Sequence, residues 1–302
     1  MKIPIVFALV VLLWGSTPLG IRLSNESFSF TAAVMLRMGI ALPLALAVLW
    51  WQGKSLVQDR SDWKVYGAAA MGIFPALPLV YWAAQYISSG LISVLFGLTP
   101  FITGLMTLLI LRTNPFDWQK VLGLILALMG LVIIFQGQLQ FGPSAIKGIA
   151  AVLLSSTIFA LSSVCLQRYA SNIEPMRQTA GALLLSFPAL FLVWLFTDGS
   201  IAQEITWRSG GAVIYLAVCG SLLGFPAYFY LLKHMSAATI SLNTLMTPAV
   251  ALMLGALILD ESLETSLLIG AGTILLSLAF YQGLLGRALR KLMSPIARSD
   301  LK

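Results

Sequence analysis

The sequence predicts an all-α integral membrane protein of ten transmembrane helices, arranged as two inverted five-helix repeats. Three observations predict it. Composition is the first: 59% of the 302 residues are hydrophobic and 10% are charged, with a mean hydropathy of +0.93, against about 25% charged in a soluble domain. The second is the length of the apolar runs. Near 3–23, 30–50, 65–86, 89–111, 119–137, 147–168, 177–197, 210–231, 236–259 and 265–285 the chain stays apolar for about 20 residues, enough to cross the hydrocarbon core of a bilayer. The third is internal duplication. Residues 69–111 recur without a gap as residues 217–259, which pairs Gly72 with Gly220, Pro78 with Pro226, Thr99-Pro100 with Thr247-Pro248 and Leu109-Ile110-Leu111 with Leu257-Ile258-Leu259. A slightly shorter shift pairs Pro43 with Pro188 and Trp14 with Phe159.

The first run follows Met1-Lys2 and has the look of a secretory signal. It lacks a small-x-small cleavage site and has a counterpart near 149–168, so it reads as a retained first span. Loops between runs are short, which divides the chain into a first repeat over residues 1–140, a second over 141–286 and a basic tail over 287–302. Trp50, Trp51, Trp63, Trp118 and Trp207 fall at span ends, where amphipathic rings favour the headgroup layer. Cys165 and Cys219 fall inside spans and read as small apolar residues rather than a disulfide.

A net charge of +7 suggests nucleic acid only until its distribution is mapped. With the N-terminus in the cytoplasm, 14 of the 18 Lys and Arg residues fall on that side, from Lys2 and Lys54 to the tail residues Arg287, Arg290, Lys291, Arg298 and Lys302. Arg22, Lys147 and Arg208 fall opposite and Arg37 lies within a span. This is a positive-inside pattern with both termini cytoplasmic, and no nucleic-acid partner is expected. Arg287, Arg290 and Lys291 share one helical face that suits anionic lipid headgroups, although topology retention alone accounts for it.

Five spans per copy is an odd number, so the second copy enters the membrane upside down. Antiparallel copies supply two nearly equivalent packings that open one central cavity to alternate sides, with the substrate near the midplane. That favours a carrier over a channel. Pro18, Pro43, Pro75, Pro78, Pro100, Pro188, Pro226 and Pro248 all lie within spans, and each removes a backbone donor and bends its helix. The repeat-related pairs Pro78/Pro226 and Pro100/Pro248 are candidate gating bends, with static packing geometry as the alternative. Gly220-Ser-Leu-Leu-Gly224 and its partner Gly72-xxx-Ala76 read as small-residue surfaces for close helix packing.

Candidate site residues are few. Every Asp and Glu maps to a loop or span end, including the cluster Asp260, Glu261 and Glu264. Arg37 lies seven residues inside its span, about 10 Å at 1.5 Å per residue, where a cation costs about 2.5–3.5 kcal/mol or more. Its repeat partner is Ala182. Arg37 reads either as the counter-charge for a substrate carboxylate or as a structural cation tied to carbonyls of a neighbouring span. Trp14, Tyr81, Trp82, Phe159 and the run Tyr228-Phe229-Tyr230 are aromatic candidates for flat or apolar ligands. Trp14 and Tyr81 lead, because the consecutive trio cannot all face one cavity. Thr99, Thr103 and Thr107 form a stripe, although Thr also bonds its own helix. Asn243 with Thr247, Gln85, Ser16 and Ser163 complete the polar set.

These residues resemble those of a known group. First-span Leu13-Trp14-Gly15-Ser16, second-span Leu36-Arg37, the junction from Tyr81 to Ser89, Thr99-Pro100, Thr247-Pro248, and Asp260-Glu261 followed by Gly270 and Gly272 look like an EamA-type transporter of the drug/metabolite transporter superfamily. The resemblance covers nearly the whole chain. It implies a ten-helix fold and a pocket lined by the first, third, fourth, sixth, eighth and ninth spans. It also implies export of amino acids and related metabolites for many members, with varied substrates. One departure stands out: the fourth span commonly ends on an acid in this family, as Glu261 follows the ninth, whereas this chain has Leu111-Arg112-Thr113-Asn114. The resemblance also favours the structural reading of Arg37, since Leu-Arg recurs among members with unlike substrates.

The resulting expectation is an inner-membrane secondary transporter, exporting small organic metabolites such as amino acids by alternating access. Efflux of drug-like or other solutes by the same fold, or a non-transporting scaffold, are the alternatives. No enzymatic activity is expected, because the spans supply no facing acids, histidines or activated nucleophile. No cofactor or metal is expected. The partners are a small-molecule substrate and membrane lipid, and a homo-oligomer is compatible with the sequence. With no Asp or Glu at membrane depth, uncoupled or exchange transport is expected ahead of proton antiport.

Overall fold

Apolar segments of this length have one stable backbone solution, the helix, because every N–H and C=O must find its partner inside the segment. The computed structural model of the chain describes residues 3–114, 116–138, 143–169, 172–201, 204–235, 240, 243–259 and 265–281. Among them no strand occurs. The acidic cluster Asp260, Glu261 and Glu264, Lys2 and the basic tail lie outside the described residues. The elements are α1 (Ile3–Gly15), α2 (Thr17–Ser24), α3 (Phe30–Trp51), α4 (Asp62–Met71), α5 (Ala76–Ala83), α6 (Ser89–Phe96), α7 (Thr99–Leu111), α8 (Trp118–Gln138) and α9 (Pro143–Tyr169). They continue with α10 (Pro175–Thr197), α11 (Trp207–Tyr215), a π-helical segment (Leu216–Leu223), α12 (Gly224–His234), α13 (Asn243–Leu259) and α14 (Thr265–Tyr281).

Among the described residues, seven helical stretches are long and apolar enough to cross a bilayer: Ile3–Ser24, Phe30–Trp51, Asp62–Ala83, Ser89–Leu111, Ser144–Tyr169, Pro175–Thr197 and Trp207–His234. Shorter apolar helices run over Trp118–Ile134, Val250–Leu259 and Thr265–Ser277. The chain is a multi-pass membrane protein. Helix starts carry ordinary caps. Ser29, Ser88 and Thr206 accept from the N–H groups of Ala32, Leu91 and Ser209 at 3.1–3.2 Å and open α3, α6 and α11. Trp50, Trp51, Trp118 and Trp207 are exposed at helix ends. Both cysteines are free.

Four of the seven stretches are interrupted, and proline chemistry accounts for where. Pro18 cannot donate to Trp14 O, and the helix breaks at Ser16. Pro75 precedes α5, leaving the turn Gly72–Pro75 between α4 and α5, with Pro78 in the first turn of α5. Pro100 takes the second position of α7, and the chain turns at Gly97-Leu98. Pro226 lies three residues past the π-helical segment; its missing N–H and its ring at Leu222 O disfavour α-helical spacing just upstream. Pro43 and Pro188, by contrast, sit inside uninterrupted helices. Pro248 lies within α13, and its surroundings are outside the described residues.

Side chains from neighbouring helices take up the carbonyls these breaks release. Ser162 Oγ donates to Ala68 O at 2.6 Å and Ser155 Oγ to Ala76 O at 2.8 Å, both from α9. Asn25 Nδ2 donates to Tyr81 O at 2.9 Å, and Arg22 Nη1 donates to Ala84 O and Ile87 O. Those three bonds close the C-terminal end of α5 at Ala83, short of residue 86.

Helix contacts fall into a few pairs. α3 packs on α10, α4 and α5 on α9, α7 on α9, α1 on α12 and α13, α2 on α11, and α6 on α13. The longest pairing joins α8 to α14 at the margin. There a Cβ on Gly130 would come within 2.9 Å of Gly270 O, and one on Gly270 within 2.8 Å of Gly130 O, so the two backbones touch as only glycine permits. Gly181 of α10 faces the ring of buried Tyr66 so closely that an added Cβ would fall on ring atoms. Gly181→Ala should therefore cost about 1–3 kcal/mol by overpacking and lower the thermal midpoint of the detergent-solubilised protein. Gly67→Ala, with nothing within 4 Å, should leave the midpoint unchanged or raise it slightly.

Candidate functional site

The interrupted helices surround one cavity of about 160 Å³, comparable with the roughly 150 Å³ void that admits a benzene ring. Its wall is mostly apolar. α1 and α2 contribute Trp14, Thr17, Pro18 and Ile21; α4 and α5 with the turn between them contribute Gly72, Ala76, Leu77 and Val80. Ser93, Phe96, Thr99 and Thr103 come from α6 and α7, Ser155, Phe159 and Ser163 from α9, Phe225 and Tyr228 from α12, and Thr247 from α13. Among the described residues of this lining, Arg37, on α3, is the one that carries a charge.

Four aromatic rings form one wall. Trp14 stands at its centre, with ring centroids 4.7 Å from Tyr228, 5.8 Å from Phe159 and 6.4 Å from Phe225, and Phe159 lies 5.4 Å from Tyr228. Edge-to-face and tilted contacts of this kind hold rings in place beyond their area burial. Trp14 reaches this position because Gly224 has no side chain: a Cβ there would sit 2.8 Å from Nε1. The Tyr228 hydroxyl pairs with Ser163 Oγ at 2.7 Å, and Ser163 Oγ also donates to Phe159 O at 2.8 Å.

Arg37 is 1% exposed. Its Nε donates to Ser221 Oγ at 2.9 Å, and Nη1 lies 3.5 Å from the Tyr81 hydroxyl. Ser221 belongs to the π-helical segment, and its neighbour Gly220 leaves room for the guanidinium, since a Cβ there would lie 2.9 Å from Nη2. Gly220 and Gly224 thus admit two cavity-lining side chains in addition to bringing helices together.

Of the residues singled out from sequence, Trp14, Arg37, Thr99, Phe159, Ser163, Tyr228 and Thr247 come together around this cavity. Ser16, Tyr81 and Gln85 do not. Ser16 sits at the α1–α2 break, bonded to Leu12 O, Leu13 O and the Tyr215 hydroxyl at 2.6 Å. Tyr81 is fully buried and touches Arg37 rather than the cavity. Gln85 is exposed in the turn after α5, because that helix ends at Ala83. The Asn243 side chain lies outside the described residues. Thr103 of the threonine stripe lines the cavity, whereas Thr107 bonds back to Thr103 O. Phe225 and Ser221 were not singled out; Phe225 precedes Tyr228 by three residues, which puts both on one helix face.

A second, polar cleft lies at the start of α4 and α10 and includes Gln58, Asp62, Lys64, Tyr169 and Arg177. Its central charges are matched. Arg177 and Asp62, 5% and 6% exposed, pair at 2.7 Å; Arg177 also donates to Gln58 Oε1 at 2.7 Å, and Asp62 accepts from the N–H groups of Gln58 and Asp59. Lys54 and Glu174 add an exposed pair at 2.6 Å. These contacts tie the 54–62 loop to the start of α10. Arg177→Met should cost about 3–5 kcal/mol by leaving Asp62 buried and unpaired. Arg177→Met with Asp62→Leu should recover most of that loss in thermal unfolding.

Comparison with known proteins agrees with this architecture. The chain is 28% identical over 284 residues to an uncharacterized transporter of Archaeoglobus fulgidus, covering 92% of this chain and 98% of that protein. It is 28% identical over 267 residues to the uncharacterized inner membrane transporter YedA of Escherichia coli, covering 85% and 83%. Protein PecM of Dickeya dadantii is 25% identical over 262 residues, covering 86% of each. A solved crystal structure of a protein 18% identical superposes with a TM-score of 0.70 over 94% of this chain and 98% of that one, a likeness of fold. The model of the EamA-like transporter family matches residues 1–136 and again 146–282. With nearly its whole length matched, and with broken apolar helices closing on one cavity, the chain belongs to the EamA-like transporter family.

Proposed function

We propose that this transporter is an inner-membrane secondary carrier that exports small organic metabolites, amino acids and related compounds foremost, by alternating access between two inverted five-helix halves. The observation that carries the reading is the convergence of four interrupted helices on one small, largely apolar cavity, the arrangement expected of a midplane substrate site. Duplication supports the inverted halves. The family model matches twice, and helix contacts recur five spans on: α9 on α4 and α5 corresponds to α1 and α2 on α12 and α11, and α7 on α9 to α13 on α1. Such a frame offers two equivalent packings, and the ion pairs joining residues 54–62 to α10 would close one face in one of them. The positive-inside distribution supports cytoplasmic termini.

In this reading Trp14, Phe159, Phe225 and Tyr228 contact the apolar part of the substrate, and Thr99 and Thr247 face it from the helices opposite. The breaks beside Pro78, Pro100 and Pro226, with Pro248 in α13, are where helix halves swing. No acid is among the described residues of the cavity lining, which favours uncoupled or exchange transport. Purified protein in proteoliposomes, loaded with each amino acid in turn, should show counterflow of the labelled counterpart for at least one. Thr99→Trp, which fills the cavity, should cut that rate by more than about tenfold without lowering the thermal midpoint. Natively folded protein that moves no solute would sink the transport reading in favour of a scaffold. Counterflow confined to drug-like cations would move the substrate class instead. Cysteine-accessibility labelling that puts the termini on opposite faces would remove the inverted frame.

A further inference from the structure

We infer that the cavity is a monoanion site: Arg37 receives the carboxylate of a substrate whose body, about the size of one aromatic ring, lies against the Trp14 wall. This rests on the transport reading and moves its preferred substrate from amino acids, which carry an ammonium, to the related compounds that carry a carboxylate without one. Other arginines here are held by acceptors of the protein itself. Arg22 closes on two backbone carbonyls, Arg208 donates to Ile258 O at 2.6 Å, and Arg177 has a carboxylate, an amide and a carbonyl. Each is bound as a structural cation is, through its Nη groups. Arg37 is bound differently. Its Nε is held by Ser221, its Nη groups make one long contact with a neutral hydroxyl among the described residues, and its side chain borders the cavity. Guanidinium offers five donors in a planar fork that matches a carboxylate. With Nε held by Ser221, Nη1 beside the Tyr81 hydroxyl and Nη2 beside Gly220 are the donors left for a ligand.

Charge accounting points the same way. A buried cation without a counter-ion is costly, and a bound anion supplies what the fold withholds. No Asp or Glu is in the described lining, and the sequence of residues 236–246 contains none. Asp62 is already committed to Arg177. Among the described residues the site therefore has a cation for one negative charge and no acid for an ammonium. A single arginine in a wall this apolar also disfavours phosphate dianions, which need several cations. The roughly 160 Å³ of space and the four rings of Trp14, Phe159, Phe225 and Tyr228 set the size and character of the rest.

The test uses three solutes with one phenyl body and different charge: 3-phenylpropionate, phenylalanine and phenethylamine. Equilibrium binding of labelled 3-phenylpropionate to the full-length protein in nanodiscs, competed by the other two, reads the preference without any variant. The expected result is binding at least about tenfold tighter for the anion than for the zwitterion or the cation. Arg37→Gln should erase that ranking, Arg37→Lys should retain it at lower affinity, and Ser221→Ala should weaken anion binding several-fold while Arg37 keeps its charge. Equal or tighter binding of phenylalanine or phenethylamine overturns the inference. So does a ranking that survives Arg37→Gln in protein with an unchanged thermal midpoint, or no binding of 3-phenylpropionate to wild-type protein. Counterflow separates this failure from that of the transport reading: a solute that moves with no dependence on Arg37 leaves the carrier intact and removes the anion site, whereas native protein that moves nothing removes the carrier.

Discussion

The fold depends on one constraint, that no backbone polar group inside an apolar span is left to water. Continuous helices without an internal proline, such as α8 and α9, meet it by themselves. The broken ones do not, and their breaks persist because other helices deliver hydroxyls, an amide and guanidinium groups to the released carbonyls. Ser155 and Ser162 of α9 serve the α4–α5 interruption, while Arg22 in the last turn of α2 and Asn25 just after it serve the end of α5. Ser16 and Thr17 fold their own hydroxyls back onto Leu12 O and Leu13 O. The cavity exists where these repairs leave helices apart.

Glycine decides how near the cavity residues come to neighbouring backbones. Gly220 admits the Arg37 guanidinium and Gly224 the Trp14 indole, so one short stretch around the π-helical segment seats both the charge and the aromatic centre of the wall. The same stretch provides Ser221, which orients the guanidinium through Nε. Proline, glycine and serine within ten residues therefore set the helix geometry, the room and the anchoring at one wall of the site. A change of helix pitch in this segment would move Arg37's anchor and Trp14's seat together.

Stability and function use charge differently in this molecule. The Asp62–Arg177 pair is buried, hydrogen-bonded on both partners and remote from the cavity, and it fixes one loop to one helix start. Arg37 is buried with a hydroxyl anchor and, among the described residues, no acid. That contrast is what separates the tether from the proposed binding group.

Much of the architecture was legible in the chain itself. Apolar run length fixes where helices lie, because bilayer thickness and the satisfaction of backbone groups leave no other solution, and seven of the predicted spans fall within a few residues of the seven long apolar helical stretches. Prolines lie at or beside the four interruptions, where a missing N–H acts locally, but Pro43 and Pro188 interrupt nothing. Trp14, Arg37, Phe159 and Tyr228 were legible as candidates because rings and charges are conspicuous in so apolar a sequence. What the sequence could not decide was direction. Tyr81 looks as suitable as Tyr228, yet the turn of its helix aims it behind the wall, while Ser221 and Phe225 gain their roles from helix facing and from the widened π-helical turn. Those are properties of packing between residues more than a hundred positions apart, such as Arg37 and Ser221, and only the assembled helices bring them within hydrogen-bond distance.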